Sequence, residues 1–400
     1  MWTSVSTMSV SLTSVAVPSG WGWGADVITY RCARAHRSNL LATGPACRPS
    51  FLPVGSRRAL DRHPLNCQGP CHPEPPPPPA RRLAPTARVS ASPALGIALP
   101  LAARDADPAD FIAEVLAEAR AADAAGFEVC LVPDHHRGPP ASVVAPLALC
   151  AALAAVTQRI RVGPGVLVLP VHAPLHVAEQ VTLIDQISRG RAVLGVGAGY
   201  QHEDFEAFGI DRAQRGPRFE AGLAEVGRLL GEPGALDPVP VQRPRPPVWV
   251  GAWSGVGLRR AARLADGWIA DPVRSVTEAA AMADRYRAAC DGAPGDVVLM
   301  REAWVDGAPG SAERFADAIM PVFRYYGRRG AAEFPDTFAA LARDRFVHGS
   351  AAECLDQVDA MAAATGASVV VLTLRQPGGP GHEAALQAIR AIGEARAARG

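Results

Sequence analysis

Lysine is missing altogether: the 40 basic side chains of this 400-residue chain are all arginine. With abundant alanine, this points to a GC-rich coding sequence rather than to a binding function. Neither sign of charge is in excess, the formal net charge being +1. That excludes the strongly basic character of a nucleic-acid binder or of a partner for an anionic membrane surface. No run of about eighteen apolar residues occurs, so no membrane-spanning helix is expected. Acidic residues are scarce in one place only. Residues 1–92 hold just Asp26, Asp61 and Glu74, together with many serines and arginines and the run Pro75–Pro79. No hydrophobic period of 2 or 3.6 persists there, so the segment cannot bury enough apolar surface to offset its ordering entropy.

The expected organisation is therefore a disordered extension over 1–92 and a folded domain over 93–400. Rival readings of the extension are an organellar transit peptide, which suits the Ser/Arg-rich composition, and a secretory signal, which suits it less. Met8 is the last methionine before Met282, so a later start would use a non-ATG codon, with Val89 a candidate. Four of the eight cysteines (Cys32, Cys47, Cys67, Cys71) lie in the extension. The grouping His63, Cys67, Cys71 and His72 lacks a standard zinc spacing, and no metal is expected there. Cys130, Cys150, Cys290 and Cys354 sit singly on apolar faces, the ordinary place of a small buried thiol. A reducing, cytoplasmic setting follows.

From Leu95 onward the pattern alternates strand and helix. Strands are expected at Leu95–Leu101, Phe127–Val132, Ile160–Leu169, Ala192–Val196, Val248–Gly251, Trp268–Ala270, Val297–Val305 and Ser368–Leu374. The first helix opens with Asp107 as N-cap and Pro108 in the first helical position, and Gly126 ends it. A helix over about Val144–Thr157 is apolar on both sides, as if packed on the barrel and on a second subunit. A long excursion covers Ser311–Thr365. Eight strands in this length predict a single α/β domain, a (β/α)8 TIM barrel with insertions. The runner-up, an open doubly wound sheet, would need its glycine fingerprint at the first strand rather than near position 197.

Barrel active sites gather at the carboxyl ends of strands. Asp134, His135 and His136 stand at the end of the second strand. A histidine there can exchange a proton near neutrality, and Asp134 beside it would orient the ring or raise its pKa. Gly163, Pro164, Gly165 and Val166 place a bulge or close backbone approach inside the third strand. Gly195–Tyr200 and Gly251–Gly255 are either anion cradles or ordinary tight turns; the second runs into a helix N-terminus, where the dipole favours negative charge. A metallohydrolase reading of Asp134, His135 and His136 would need further aspartates on neighbouring strand ends, and the first, third and fourth strands end without any. His172 and His176 could add imidazoles, but His176 falls inside the helix after Pro174.

The succession RIRVGPGVLVLP, AEQVTLIDQISRGR and LGVGAGYQHEDFEAFG between Arg159 and Gly209 resembles the core of the bacterial luciferase-like family. These are (β/α)8-barrel oxidoreductases that use reduced flavin or a deazaflavin. The strings LRRAARLADGW (Leu258–Trp268) and Arg345–His382 extend the resemblance. It implies that His135 is the catalytic candidate, that His136 is its neighbour, and that Asp134 stands for the family's acidic position. It also implies a non-prolyl cis peptide at Gly165–Val166, pressed against the flavin. Gly197, Gly199 and Tyr200 after the fourth strand, and Gly251, Ala252, Trp253, Ser254 and Gly255 after the fifth, would bind the cofactor. The latter loop would hold its phosphate. One departure stands out: luciferases proper place an arginine where this chain has Ala198, so Arg259, Arg260 or loop amides would substitute.

Two mechanisms follow from the resemblance. One is a monooxygenase that takes reduced FMN from a separate flavin reductase and uses oxygen on a small organic molecule. The other is hydride transfer with the deazaflavin coenzyme F420. A flavin-binding barrel without turnover is the rival from another class. The apolar second and third helices predict a homodimer, and neither nucleic acid nor membrane is expected as a partner. Residues Arg375–Gly379, after the last strand, either touch substrate or form a turn.

Overall fold

The computed structural model describes residues 92–100, 107–136, 145–292, 294–328 and 333–400. The expected extension with its cysteines and its His/Cys grouping lies outside the described residues except for its last position. Leu101 and Val144, proposed ends of the first strand and second helix, also fall outside.

Short runs of Val, Ile, Leu and Gly form the parallel strands β1 (Ala94–Ala98), β2 (Val129–Val132), β3 (Arg161–Pro164), β4 (Leu167–Val168) and β5 (Leu194–Gly197). They continue as β6 (Val248–Gly251), β7 (Gly267–Ala270), β8 (Asp296–Val305), β9 (Val347–Gly349) and β10 (Val369–Thr373). Their near-continuous apolar composition suits strands covered on both faces. The sheet runs β3-β2-β1-β10-β8-β7-β6-β5-β4, with β9 beside β8 alone. The third expected strand, Ile160–Leu169, is interrupted: β3 and β4 flank a cis peptide at Gly165–Val166. Each half serves a different neighbour. β3 pairs with β2, while β4 pairs with β5. A bridge from Val162 to Ala192, just ahead of β5, closes the ring. Counting β3 and β4 as one bent strand and setting β9 aside, the ring has the eight parallel members of a TIM barrel.

The helices are α1 (Pro108–Ala124), α2 (Pro146–Val156), α3 (Pro174–Ser188), α4 (His202–Ala207), α5 (Arg215–Gly231), α6 (Gly255–Leu264) and α7 (Val276–Ala288). After them come α8 (Ser311–Arg328), α9 (Phe338–Ala342), α10 (Ala351–Thr365) and α11 (His382–Ala397). Local sequence fixes their starts. Asp107 accepts from the Ala109 N–H at 2.8 Å, and Ser275/Glu278 and Ser350/Glu353 form capping boxes on α7 and α10.

Alternation sorts the strand side chains into two sets. Val129, Leu131, Val193, Trp249, Ile269, Val298, Val369 and Val371 fill the barrel interior. Their neighbours Cys130, Leu194, Val250, Ala270, Leu299 and Leu372 face the helices. The excursion has its own core, in which Trp304, Phe315, Ile319, Phe323, Leu341 and Phe346 are buried together. It supplies α8, α9 and β9, and α10 completes the outer ring.

Candidate active site

The parity that points Val129 and Leu131 inward continues past the end of β2. In extended chain, successive side chains alternate, so His135 falls on the inward side and Asp134 and His136 on the other. The contacts agree. The Gln201 amide nitrogen meets His135 Nδ1 at 2.8 Å. With that amide donating, Nδ1 is the acceptor and the ring proton sits on Nε2, facing away from Gln201. Loss of water around the ring pushes its pKa below the usual histidine value, against the pull of Asp204 and Asp134. His135 is thus a neutral imidazole near pH 7, half-buried at the rim.

Asp134 does not orient His135, contrary to the sequence expectation. It is buried, and its Oδ2 accepts from the Val168 N–H at 2.8 Å. Its Oδ1 lies 3.1 Å from His136 Nε2, and its Oδ2 3.5 Å from His172 Nε2. Burial would raise the Asp134 pKa, but the two imidazoles and the Val168 amide outweigh it and hold the carboxyl well below the usual range. In return, the contact with Asp134 raises His136. The edge of Phe208 packs on His136 with ring centroids 4.8 Å apart. The Asp134, His136 and His172 ligand atoms come within 4.8 Å of one another, and their shared contacts with one carboxylate account for that closeness. The group braces β2 against β4 and leaves His135 to face the mouth.

At the floor of the mouth the cis peptide puts Val166 between two glycines. A Cβ on Gly197 would meet Val166 Cγ2 at 2.7 Å, and one on Gly251 would meet Cγ1 at 3.1 Å. Gly199 has φ +72°, and a Cβ there would meet Val168 Cγ1 at 2.6 Å. Gly197 and Gly199 therefore have packing reasons of their own. Gly165, Val166, Gly251 and Met300 retain some solvent exposure although they lie in the interior layer, so the mouth is open down to this level. Tyr200 and Trp253 close one side, with ring centroids 6.1 Å apart, and Arg274 lies over Trp253 at 5.6 Å.

The Gly251–Gly255 loop ends in a helix start: Ser254 caps α6, its Oγ accepting from the Gly257 N–H at 3.1 Å. Of the two arginines proposed to replace the family's contact at Ala198, Arg260 is held by Glu220 at 3.0 Å. Arg259, exposed at the fifth position of α6, has no ion-pair partner among the described residues. Helix-start amides, a hydroxyl cap and an unpaired guanidinium fit a phosphate-bearing group.

Sequence reasoning missed several residues of the mouth. Asp271 follows β7 in the inward position two beyond Ile269, and burial pushes it up to about 6 despite the Val273 amide, Arg301 and Arg274. Glu302 occupies the inward position two beyond Met300 on β8, and burial pushes it up to about 7 against its bond with Gln376. Tyr326 on α8 lies within electrostatic reach of both. An isolated acid at the carboxyl end of an apolar strand, in phase with the inward residues, is the signal that would have found them. The loop after β10 divides: Gln376 turns inward, whereas Arg375 pins α1 through Glu114 at 2.6 Å and Glu118 at 2.7 Å.

The profile of the luciferase-like monooxygenase family matches residues 94–368. Limonene 1,2-monooxygenase of Rhodococcus erythropolis is 38% identical over 108 residues, covering 27% of this chain and 28% of that protein. The chain spans less than two thirds of the length of the curated relatives it matches. Among solved structures, the oxygenating constituent of 3,6-diketocamphane monooxygenase from Pseudomonas putida, in complex with FMN, aligns at 18% identity with TM-score 0.62. That match covers 76% of this chain and 97% of that one. An F420-dependent secondary alcohol dehydrogenase aligns at 14% identity with TM-score 0.60, over 76% and 98% of the two chains. These likenesses establish the barrel, the profile covers most of it, and the chain belongs to the luciferase-like monooxygenase family.

Proposed function

We propose that the chain is a flavin-dependent monooxygenase that takes reduced FMN from a separate reductase and oxygenates a small organic substrate in the barrel mouth. One observation carries this reading: a neutral imidazole, His135, is held by Gln201 on the inward side of the rim, above an open floor formed by Gly165, Val166 and Gly251. The flavin, when bound, supplies the reaction with oxygen. The chain's own residues do the rest. Gly165, Val166, Gly251 and Ala252 would form the bed for the ring, and Ser254, Gly255 and Arg259 would take the phosphate. Trp253 and Tyr200 would wall the ring off from water, and His135 would hold or move a proton at Nε2.

Titration of the purified chain with FMN and, separately, with coenzyme F420, followed by fluorescence, tests the reading. Binding of F420 alone would replace oxygenation with hydride transfer, in keeping with the F420 dependence of the aligned secondary alcohol dehydrogenase. Arg259→Ala should weaken binding of the phosphate-bearing cofactor about tenfold, one charge-assisted hydrogen bond being worth that much. Unchanged affinity would move the phosphate site elsewhere.

Cys130, Cys150, Cys290 and Cys354 are all unpaired thiols, and among the described residues no helix is long and apolar enough to cross a membrane. Both suit the cytoplasm. A homodimer is part of the proposal. On α3, Leu183 and Ile187, one turn apart, are 52% and 39% exposed, and Leu175, 48% exposed, lies two turns before Leu183 beyond Glu179, apolar surface that a second copy would cover. Leu183→Glu should convert a dimer to a monomer in light scattering. A monomeric wild-type chain at micromolar concentration would contradict this.

A further inference from the structure

Besides His135, the mouth holds the ionisable group Glu302, on the inward side of β8. We propose that Glu302 is a proton-bearing group of this site, a carboxylic acid that donates a hydrogen bond to a carbonyl oxygen of the bound ligand. The proposal rests on the reading of the mouth as a flavin site.

Three observations carry it. The first is placement: Glu302 lies in phase with Val298 and Met300 on β8 and level with Thr373 on β10, the last rung of that pairing. The second is the lock formed by Gln376. Its Nε2 faces three acceptors, Thr373 O at 2.6 Å, Ala303 O at 3.0 Å and Glu302 Oε2 at 3.1 Å. The two backbone carbonyls can only accept, so the amide cannot flip, and Gln376 Oε1 is left buried without a partner. The amide has two hydrogens for these three acceptors, so Glu302 Oε2, the longest contact, accepts a shared bond, and that arrangement favours the acid proton on Oε1.

The third observation is charge. The groups that face Glu302 among the described residues are neutral, Tyr326 on α8 and Gln376, and the acid Asp271 after β7 lies within reach of the same Tyr326. The adjacent arginines turn outward, Arg301 to the Met300 and Asp271 carbonyls and Arg375 to Glu114 and Glu118. Among the described residues no cation compensates an ionised Glu302, and burial keeps it protonated to about pH 7. A buried neutral acid with its proton free to donate selects a carbonyl acceptor. Flavin and deazaflavin rings carry such oxygens, and so does a ketone substrate.

The test compares wild type, Glu302→Gln and Glu302→Leu from mildly acidic to mildly alkaline pH, with FMN, coenzyme F420 and cyclohexanone as separate probes. Wild-type affinity for the responding probe should fall as pH rises past about 7. Glu302→Gln keeps a donor but cannot ionise, so its affinity should stay flat. Glu302→Leu should bind about tenfold more weakly at every pH below that point. A response to FMN or F420 assigns the carbonyl to the cofactor ring; a response to cyclohexanone assigns it to the substrate.

Infrared spectra of the ligand-free protein give a reading independent of activity. The stretch of a protonated carboxyl should fade past about pH 7 and be missing in Glu302→Gln, apart from an Asp271 band fading near pH 6. Identical pH profiles in wild type and Glu302→Gln, no response from any probe, or an infrared band untouched by the substitution would each overturn the proposal. Failure of both FMN and F420 to bind would instead undercut the flavin reading, and the cyclohexanone and infrared results would still decide on Glu302.

Discussion

Replacing His135 with Asn is expected to lower turnover by about 10²–10⁴-fold while leaving the dissociation constant of FMN or F420 within about twofold. Removal of a positioned proton-transferring group accounts for a loss of that size, and the rest of the site does not depend on this ring. Asp134, His136 and His172 brace β2 against β4 without it. Gln201, which holds Nδ1, also has room for an amide in its place. The measurement is steady-state turnover beside a fluorescence titration on the same preparations. Turnover within a factor of a few of wild type would take His135 out of the chemistry. A parallel loss of cofactor binding would make it a binding residue instead.

Gly163→Ala should prevent the barrel from closing. A Cβ at this position would sit 1.8 Å from the backbone oxygen of Val193 and 2.8 Å from its carbonyl carbon. Neither atom can move aside, because the Val193 N–H is already bonded to the Val162 oxygen at 3.1 Å across the same seam. The collision therefore separates β3 from the approach to β5 at the Val162–Ala192 bridge, leaving only the short β4–β5 pairing to join the ring at this seam. A loss above about 4 kcal/mol belongs to this kind of backbone clash. It should show as insoluble expression or as a collapse of the urea midpoint. A soluble Gly163→Ala protein with the wild-type midpoint would mean that the seam is looser than described.

Much of this architecture could be read along the chain, and the exceptions share a physical cause. Strand and helix positions follow from runs such as Val129–Val132 and caps such as Asp107, which are local signals. The rim position of Asp134–His136 was equally local. What the acid does was not. Sequence adjacency suggested that Asp134 serves His135, yet alternation turns neighbouring side chains to opposite sides, so Asp134 reaches the next residue but one. Gln201 lies 66 positions from His135, and only the closed ring brings the ends of β2 and β5 together. The continuous strand Ile160–Leu169 was expected because both halves are apolar. Its division at Gly165–Val166 comes from each half serving a different neighbour. Glu302 and Asp271 escaped notice because each is a single acid in an otherwise ordinary segment, and their raised pKa values arise from burial that no short window shows.

The excursion after β8 has a bearing on how this barrel could be re-engineered. Trp304 of β8 stacks on Phe315 at 5.6 Å, and Phe346 packs on Phe315 and Phe323 at 5.2 Å each, so the rings of the excursion gather on a tryptophan of the barrel itself. Asp344 accepts from the Thr277 N–H of α7 at 2.8 Å. From the same segment Tyr325 and Tyr326 lie within electrostatic reach of Tyr200. The excursion is thus bolted to the barrel at Trp304 and at Asp344, and a chimera that replaces it would have to carry both attachment points to leave the eight strands undisturbed.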